Sequence, residues 1–303
     1  MRKIENIETI WDTFICGDCQ SELQQLPDNC IDLVFTSPPY ADQRIYDQEE
    51  DSTIDPDDYV SWFADKAREI YRVLKTDGSF VLNINDKTVD GFQHLFVYEL
   101  VIYLCREIGF HLVRDYIWYN PATPPNIFSR GNMGRTKKSH EYCFWFSKGS
   151  TWTFNLDPIR KPYGKDMKKY LDGNGKGQRN DNTRPSTHNF NCEKTWADHG
   201  GSDPGSVIEI ANTASNDMFF KMCKELGITH PARFPVKLAD FFILSATNPG
   251  DIVLDPFSGS GTTAVSALHN RRHWIGIDSN KSYCELAQKR IDMELTQLSD
   301  KKG

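Results

Sequence analysis

Two short runs in the chain hold residues whose types and spacing could do chemistry. The first is Thr36-Ser37-Pro38-Pro39-Tyr40, directly after the apolar stretch at 31–35. One proline would end a strand there, so a pair beside a hydroxyl and a phenol asks for a chemical reason. The second is Asp255-Pro256-Phe257-Ser258-Gly259-Ser260-Gly261-Thr262, between a buried strand pattern and a helix pattern. Gly259 and Gly261 suit a strand-to-helix turn where backbone passes close to a ligand, and the amides opening the helix can receive polar or anionic groups. Asp278 ends the next strand pattern, 17 residues after Gly261. That is about the distance at which an acid binds ribose hydroxyls in nucleotide-binding βαβ units. The chemistry implied is a nucleoside cofactor at the second run and another substrate at the first. A P-loop is excluded, because Thr262-Thr263 stands where a Lys-Ser/Thr pair belongs. A dehydrogenase would place the glycine turn early and follow it with a substrate domain, whereas here the chain nearly ends.

The elements that must position these runs alternate. Residues 29–36 read as a buried strand, 57–74 as an amphipathic helix ended by a turn at 75–79, and 79–84 as a strand. Residues 94–109 read as a helix stopped by Gly109, and 110–119 and 141–147 as strands. Order returns with a helix at 235–247, a strand at 251–255, a helix at 262–271, a strand at 273–278 and a helix at 281–295, before a frayed tail from Ser299. Such alternation implies an α/β fold with a doubly wound, mostly parallel sheet. Both runs then lie at carboxyl ends of strands. If those strands are neighbours, cofactor and substrate meet there.

At 303 residues, with 39% hydrophobic and 25% charged residues, the composition is that of an ordinary globular protein. No membrane span or signal peptide is legible, which makes a cytoplasmic location the expectation. The 8 cysteines are scattered, which suits free thiols in a reducing compartment. Cys16 and Cys19 have metal-like spacing but lack a second pair, so no metal is expected. The net charge of −7 argues against nucleic acid, yet charge is unevenly placed. Arg160, Lys161, Lys165, Lys168, Lys169, Lys176, Arg179 and Arg184 crowd into a segment, 151–208, that has lost all periodicity. A basic surface of that kind is either a solvated loop or an electrostatic footprint for phosphates.

The runs at 17–40, 255–263 and 273–278 together resemble the S-adenosylmethionine-dependent DNA amino-methyltransferases of the β arrangement, in which the catalytic motif precedes the cofactor motif. Secondary matches lie at 74–86, 115–121, 139–149 and 230–243. The resemblance covers most of the chain. It implies a Rossmann-like methyltransferase fold with an inserted, loop-rich target-recognition segment. Residues 1–150 would carry the catalytic half, 151–208 target recognition and 209–303 the cofactor half. It further implies double-stranded DNA as partner, to whose phosphates the basic cluster would bind. Bacterial members belong to restriction-modification systems, so a cognate endonuclease is a candidate partner, and a monomer or homodimer in a prokaryotic cytoplasm, near the nucleoid, is implied.

The resemblance also supplies the reason for two prolines. An exocyclic amino group is a poor nucleophile because its lone pair is spread into the base. Fixed acceptors that hold its hydrogens favour a pyramidal nitrogen aimed at the sulfonium methyl. Two prolines fix the backbone and contribute carbonyls without competing amides. By analogy the Pro38 carbonyl and Ser37 hydroxyl accept the amino hydrogens, while Tyr40 stacks on a base flipped out of the duplex. Transfer is in-line and driven by positioning, with S-adenosylhomocysteine leaving. Members with Ser before Pro-Pro mostly methylate cytosine N4 and those with Asp mostly adenine N6, so Ser37 favours cytosine, with adenine N6 on the same scaffold the alternative, since the motif contacts only the amino group both bases share. Cofactor contacts carried over are Asp18, Thr36, Lys237, Asp255, Phe257, Ser258, Gly259, Ser260, Gly261, Thr262 and Asp278.

Other residues read as structural. His140 and Glu141 fit the start of a strand, Trp118, Trp145 and Trp152 fit buried packing, and His188 and His199 fit the surface of the 151–208 segment. Two further classes remain open on the residues: a DNA-binding protein that has lost catalysis, and a methyltransferase acting on protein or RNA. The intact 37–40 and 258–261 runs weigh against the first, Ser37 and the late glycine turn against the second.

Overall fold

The computed structural model describes residues 3–41, 54–124, 136–172, 198–212, 223 and 233–300. In chain order they form β1 (Thr13–Cys16), α1 (Cys19–Leu23), β2 (Ile31–Thr36), α2 (Tyr59–Val73), β3 (Leu74–Ile84), β4 (Thr88–Val89), β5 (Phe92–Gln93), α3 (Phe96–Tyr103), β6 (His111–Tyr119), β7 (His140–Ser147), α4 (Lys165–Leu171), β8 (Val207–Glu209), α5 (Val236–Ala246), β9 (Ile252–Asp255), α6 (Thr262–His269), β10 (His273–Asp278) and α7 (Lys281–Asp300). The described chain divides into two compact units, 1–154 with 206–303, and 155–205.

The larger unit is built on an eight-stranded sheet in the order β1-β10-β9-β2-β3-β7-β6-β8. All neighbours are parallel except along β7, which runs against both β3 and β6. Alternate residues of each strand feed opposite layers. Val34, Phe80 and Leu82 pack with α1, α2 and α3 through Leu23, Phe63, Ile70 and Leu100. Leu33, Phe35 and Val81 pack with α5 and α6 through Leu238, Phe242 and Val265. Burying each such Leu or Phe contributes about 1.5–3 kcal/mol, enough in sum to hold the sheet between its helices. No helix among the described residues is long and apolar enough to cross a membrane.

Several expectations change in detail. The turn at 75–79 lies within β3: pairing jumps from Ile31↔Leu74 to Leu33↔Ser79, so the intervening residues bulge out of register. The helix ended by Gly109 closes with a wide π-turn, Leu104–Ile108, and Gly109 takes φ 100°, where glycine is favoured. Ser299 and Asp300, read as a frayed tail, belong to α7. Strand β1, absent from the sequence reading, adds the edge beyond β10.

The smaller unit is narrower than the segment 151–208. Residues 151–154 and 206–208 belong to the sheet unit, where β8 pairs with β6. Within 155–205 the chain forms α4 and a short bridge in which Lys161 and Ser202 exchange backbone hydrogen bonds of 2.9 and 2.8 Å.

Candidate active site

The two chemistry-bearing runs end adjacent strands. Leu33 pairs with Val253 and Val34 with Leu254, so β2 and β9 lie side by side at the middle of the sheet. From β2 the chain crosses to β3 on one side, and from β9 to β10 on the other. Their carboxyl ends therefore flank the topological switch point, where open α/β sheets bind ligands.

Asp255 joins the two ends. It is 3% exposed, and its Oδ1 accepts from the Thr36 hydroxyl at 2.6 Å and the Phe257 amide at 3.1 Å. Its Oδ2 accepts from the Thr263 hydroxyl at 2.6 Å. Burial pushes this carboxyl up to about 6 against the opposing pull of those hydrogen bonds. Asp255 and Thr36, read from sequence as cofactor contacts, thus face inward and brace the first run against the second.

The first run turns its polar atoms toward one another. Ser37, half-buried, donates from its hydroxyl to the Tyr40 hydroxyl at 3.1 Å. Tyr40 donates to Glu141 Oε2 at 2.6 Å and, at 3.4 Å, faces Asn83 Oδ1. Asn83 is fully buried at the end of β3 and donates to Glu141 Oε2 at 3.3 Å and the Tyr142 carbonyl at 3.1 Å. The Pro39 carbonyl accepts from Tyr59 at 2.8 Å. Tyr40 is 7% exposed and lies within the core cluster beneath α2 and α3. Its hydroxyl is an anchor, which the stacking role read from sequence did not include. Glu141, assigned a structural place beside His140, belongs to this network. The signal for it was an acid at the head of the otherwise apolar run 142–146.

The glycine turn is held by its neighbours. Asp278 accepts from the Gly259 amide on Oδ2 at 2.8 Å and from the Asn280 amide on Oδ1 at 2.9 Å, so its carboxylate both shapes the turn and borders it. Gly259 and Gly261 have φ of 50° and 72°. A Cβ on Gly261 would stand 2.8 Å from Phe14 and 3.1 Å from Ala287, so only glycine fits. Arg290, absent from the sequence reading, is buried beneath the turn and donates to the Ser260 carbonyl and Thr262 Oγ1, both at 3.0 Å. Ser260 and Thr262 therefore fix the turn from within. Ser258 Oγ is buried with no partner among the described residues, the kind of orphan a ligand satisfies. Phe257 packs its ring near Trp62 and Phe63 at centroid distances of 5.8 and 6.4 Å, an apolar wall beside the turn.

Asp18 is exposed and caps α1 by accepting from the Ser21 amide at 2.9 Å. It follows β1, whose last residue pairs with Asp278, so it stands on the same rim. Lys237 is exposed in the first turn of α5. Carboxylate, glycine backbone free of side chains, orphan hydroxyl and aromatic wall together fit a nucleoside carrying a polar tail.

In the smaller unit, Lys161, Lys165, Lys168 and Lys169 are exposed. Arg160 departs from the phosphate-facing set: it is paired with Asp157 at 2.9 Å and with Asp203, bracing its own unit. Lys176, Arg179, Arg184 and His188 lie outside the described residues. Trp118 and Trp145 are buried, whereas Trp152 is 40% exposed and does not follow the packing expectation. Cys16 and Cys19 are free thiols, and among the described residues no group of three or more His, Cys, Asp or Glu could hold a metal.

A glycine turn and a Ser-Pro-Pro-Tyr run on neighbouring parallel strands, with one reversed strand beyond, define a Rossmann-like methyltransferase. The sequence matches the family described as DNA methylase over residues 31–289, and the chain belongs to that family. It is 36% identical over 273 residues to the type II methyltransferase M.PvuII of Proteus hauseri, covering 88% of this chain and 80% of that protein. Among solved structures it resembles the PvuII DNA methyltransferase described as cytosine-N4-specific, with a TM-score of 0.69 and 29% identity over 91% of this chain and 84% of that one. A putative DNA modification methylase of Thermus thermophilus, complexed with S-adenosyl-L-methionine, shares the fold at a TM-score of 0.56 and 22% identity, over 93% and 95%.

Proposed function

We propose that this DNA methylase transfers a methyl group from S-adenosylmethionine to the exocyclic N4 of cytosine in duplex DNA. The observation that carries this is the pairing of β2 with β9, which sets Ser37-Pro38-Pro39-Tyr40 beside the glycine turn. S-adenosylmethionine supplies an electrophilic methyl on a sulfonium. Asp278, the Gly259–Gly261 turn and Ser258 would hold it, with Phe257 against its apolar face and Asp18 and Lys237 at the rim. The Pro38 carbonyl and Ser37 Oγ would accept the amino hydrogens of the target base, so its nitrogen lone pair points at the methyl. Similarity to a cytosine-N4-specific relative and a neutral Ser37 in place of an acid both support cytosine. Adenine N6 is the alternative, since the run touches only the amino group the two bases share.

The smaller unit reads as the target-recognition segment, with Lys161, Lys165, Lys168 and Lys169 toward phosphates. Likeness to a type II methyltransferase supports a restriction-modification role with a cognate endonuclease. The test is to incubate the protein with radiolabelled S-adenosylmethionine and mixed-sequence duplex DNA, then digest to nucleosides. Label in N4-methylcytosine is expected. Label in N6-methyladenine keeps the site and changes the base. No label in any nucleoside, with label in RNA or protein instead, overturns the DNA substrate.

A further inference from the structure

Attack by an amino nitrogen leaves that nitrogen methylated and cationic, with a proton to lose. The proline carbonyl at the site can hold a hydrogen but cannot carry a proton away. The hydroxyls can. Ser37 donates to Tyr40 at 3.1 Å, and Tyr40 donates to Glu141 Oε2 at 2.6 Å. Both hydrogens point the same way, from the substrate side of β2 toward a carboxylate on β7. Because the Ser37 hydrogen is committed to Tyr40, its oxygen lone pairs remain to accept from a substrate amino group. Asn83 fixes the receiving oxygen through its amide at 3.3 Å. Resting on the methyl-transfer reading above, we infer that Ser37, Tyr40 and Glu141 form a proton relay that drains the target amino group as it is methylated.

The step balances. A bond forms between the amino nitrogen and the methyl carbon, and the carbon–sulfur bond breaks with its electron pair kept by sulfur. One N–H bond breaks with its pair kept by nitrogen. That proton goes to Ser37 Oγ, the Ser37 proton to Tyr40 Oη, and the Tyr40 proton to Glu141 Oε2. A sulfonium and a carboxylate enter the step, and neutral sulfide, neutral methylated base and neutral carboxylic acid leave it. Cancelling opposite charges inside a half-buried site is favourable where separated charges would be poorly solvated. Facing Glu141 are Tyr40 and Asn83, with the Cys143 thiol and the Lys138–Asp86 ion pair, 2.5 Å, around it, and His140 beyond them against Lys138, Asp86 and the Tyr142 ring. Glu141 and Tyr40 are thus more than strand-end packing.

The test uses the full chain, saturating S-adenosylmethionine and a duplex that it methylates, under single turnover. Wild type, Tyr40→Phe and Glu141→Gln are compared across pH and across mixtures of light and heavy water. Both variants keep the ring or the acceptor oxygen, and cofactor binding by calorimetry reports whether the site is intact. The relay requires that each variant lose about 10²-fold or more in rate, with cofactor affinity kept. It also requires a solvent isotope effect in wild type that bends with the heavy-water fraction and disappears in Tyr40→Phe. The wild-type rate must fall as acid protonates Glu141, a limb that Glu141→Gln lacks. Wild-type rate and isotope effect in Tyr40→Phe overturn the relay, as does a matching loss of cofactor binding in both variants. A wild-type protein that methylates no DNA fails one level earlier, and overturns the reading on which the relay rests.

Discussion

The ends of β2 and β9 lie side by side and solve opposite problems with opposite chemistry. The β2 end is made stiff by prolines and presents hydroxyls that hand hydrogens along a line, Ser37 to Tyr40 to Glu141. The β9 end is made tight by glycines and braces its turn from within, Asp255 with two threonines, Ser260 and Thr262 with Arg290, Gly259 with Asp278, while leaving Ser258 Oγ for a ligand. One end is arranged to act on hydrogens, the other to give up backbone surface to a ligand. Positioning catalysis needs both, because a nitrogen held in the correct orientation reacts only if the methyl donor is equally fixed.

The contrast can be broken at each end. Tyr40→Ala removes ring and hydroxyl at the acting end and is expected to cut methylation about 10³-fold, about 4 kcal/mol in barrier, while cofactor affinity by calorimetry stays near wild type. Equal loss of both would erase the distinction between the ends. Asp255→Ala strikes the joint, leaves the Thr36 and Thr263 hydroxyls without their acceptor, and is expected to cost about 2–4 kcal/mol in denaturant-induced unfolding.

Asp255→Asn sharpens the comparison through pH. In the wild type a carboxyl raised to about 6 binds its proton more tightly when folded than when unfolded. Its ionisation therefore subtracts stability as pH rises from about 4 to about 6, by about 3 kcal/mol in full above that window. The stability of Asp255→Asn relative to wild type should climb across that window and level off beyond it, measured by urea unfolding at each pH. Gly261→Ala must push its Cβ against Phe14 at positive φ, and is expected to cost about 1–3 kcal/mol with weakened cofactor binding. Smallest in energy is Lys168→Ala with Lys169→Ala, which should flatten the logarithmic salt slope of DNA affinity by about 2 and leave folding unchanged.

The sequence made the two runs, their strand-end placement and most elements legible, because those follow from local period and from glycine and proline chemistry. What it hid depended on distant partners. Asp255 reads as a ligand contact until Thr36, 219 residues away, is seen to face it. Glu141 reads as an ordinary strand start until β7 is placed against β3 and its carboxylate reaches Tyr40. Arg160 reads as one cation of a cluster until Asp157 and Asp203 close on it. Strand β1 is four residues long, too short for a period, and gains its identity only from β10.

The central position of β2 has a consequence for how the protein is made. Its partner on one side, β3, follows within the same half of the chain, but its partner on the other side, β9, begins only at Ile252. On the ribosome the nascent chain thus carries an unpaired, wholly apolar edge along residues 33–35 until residues 252–255 emerge. That edge is the site at which synthesis would fail first, by pairing with another nascent copy, and slowing translation before residue 252 should lower the soluble yield more than slowing it afterwards.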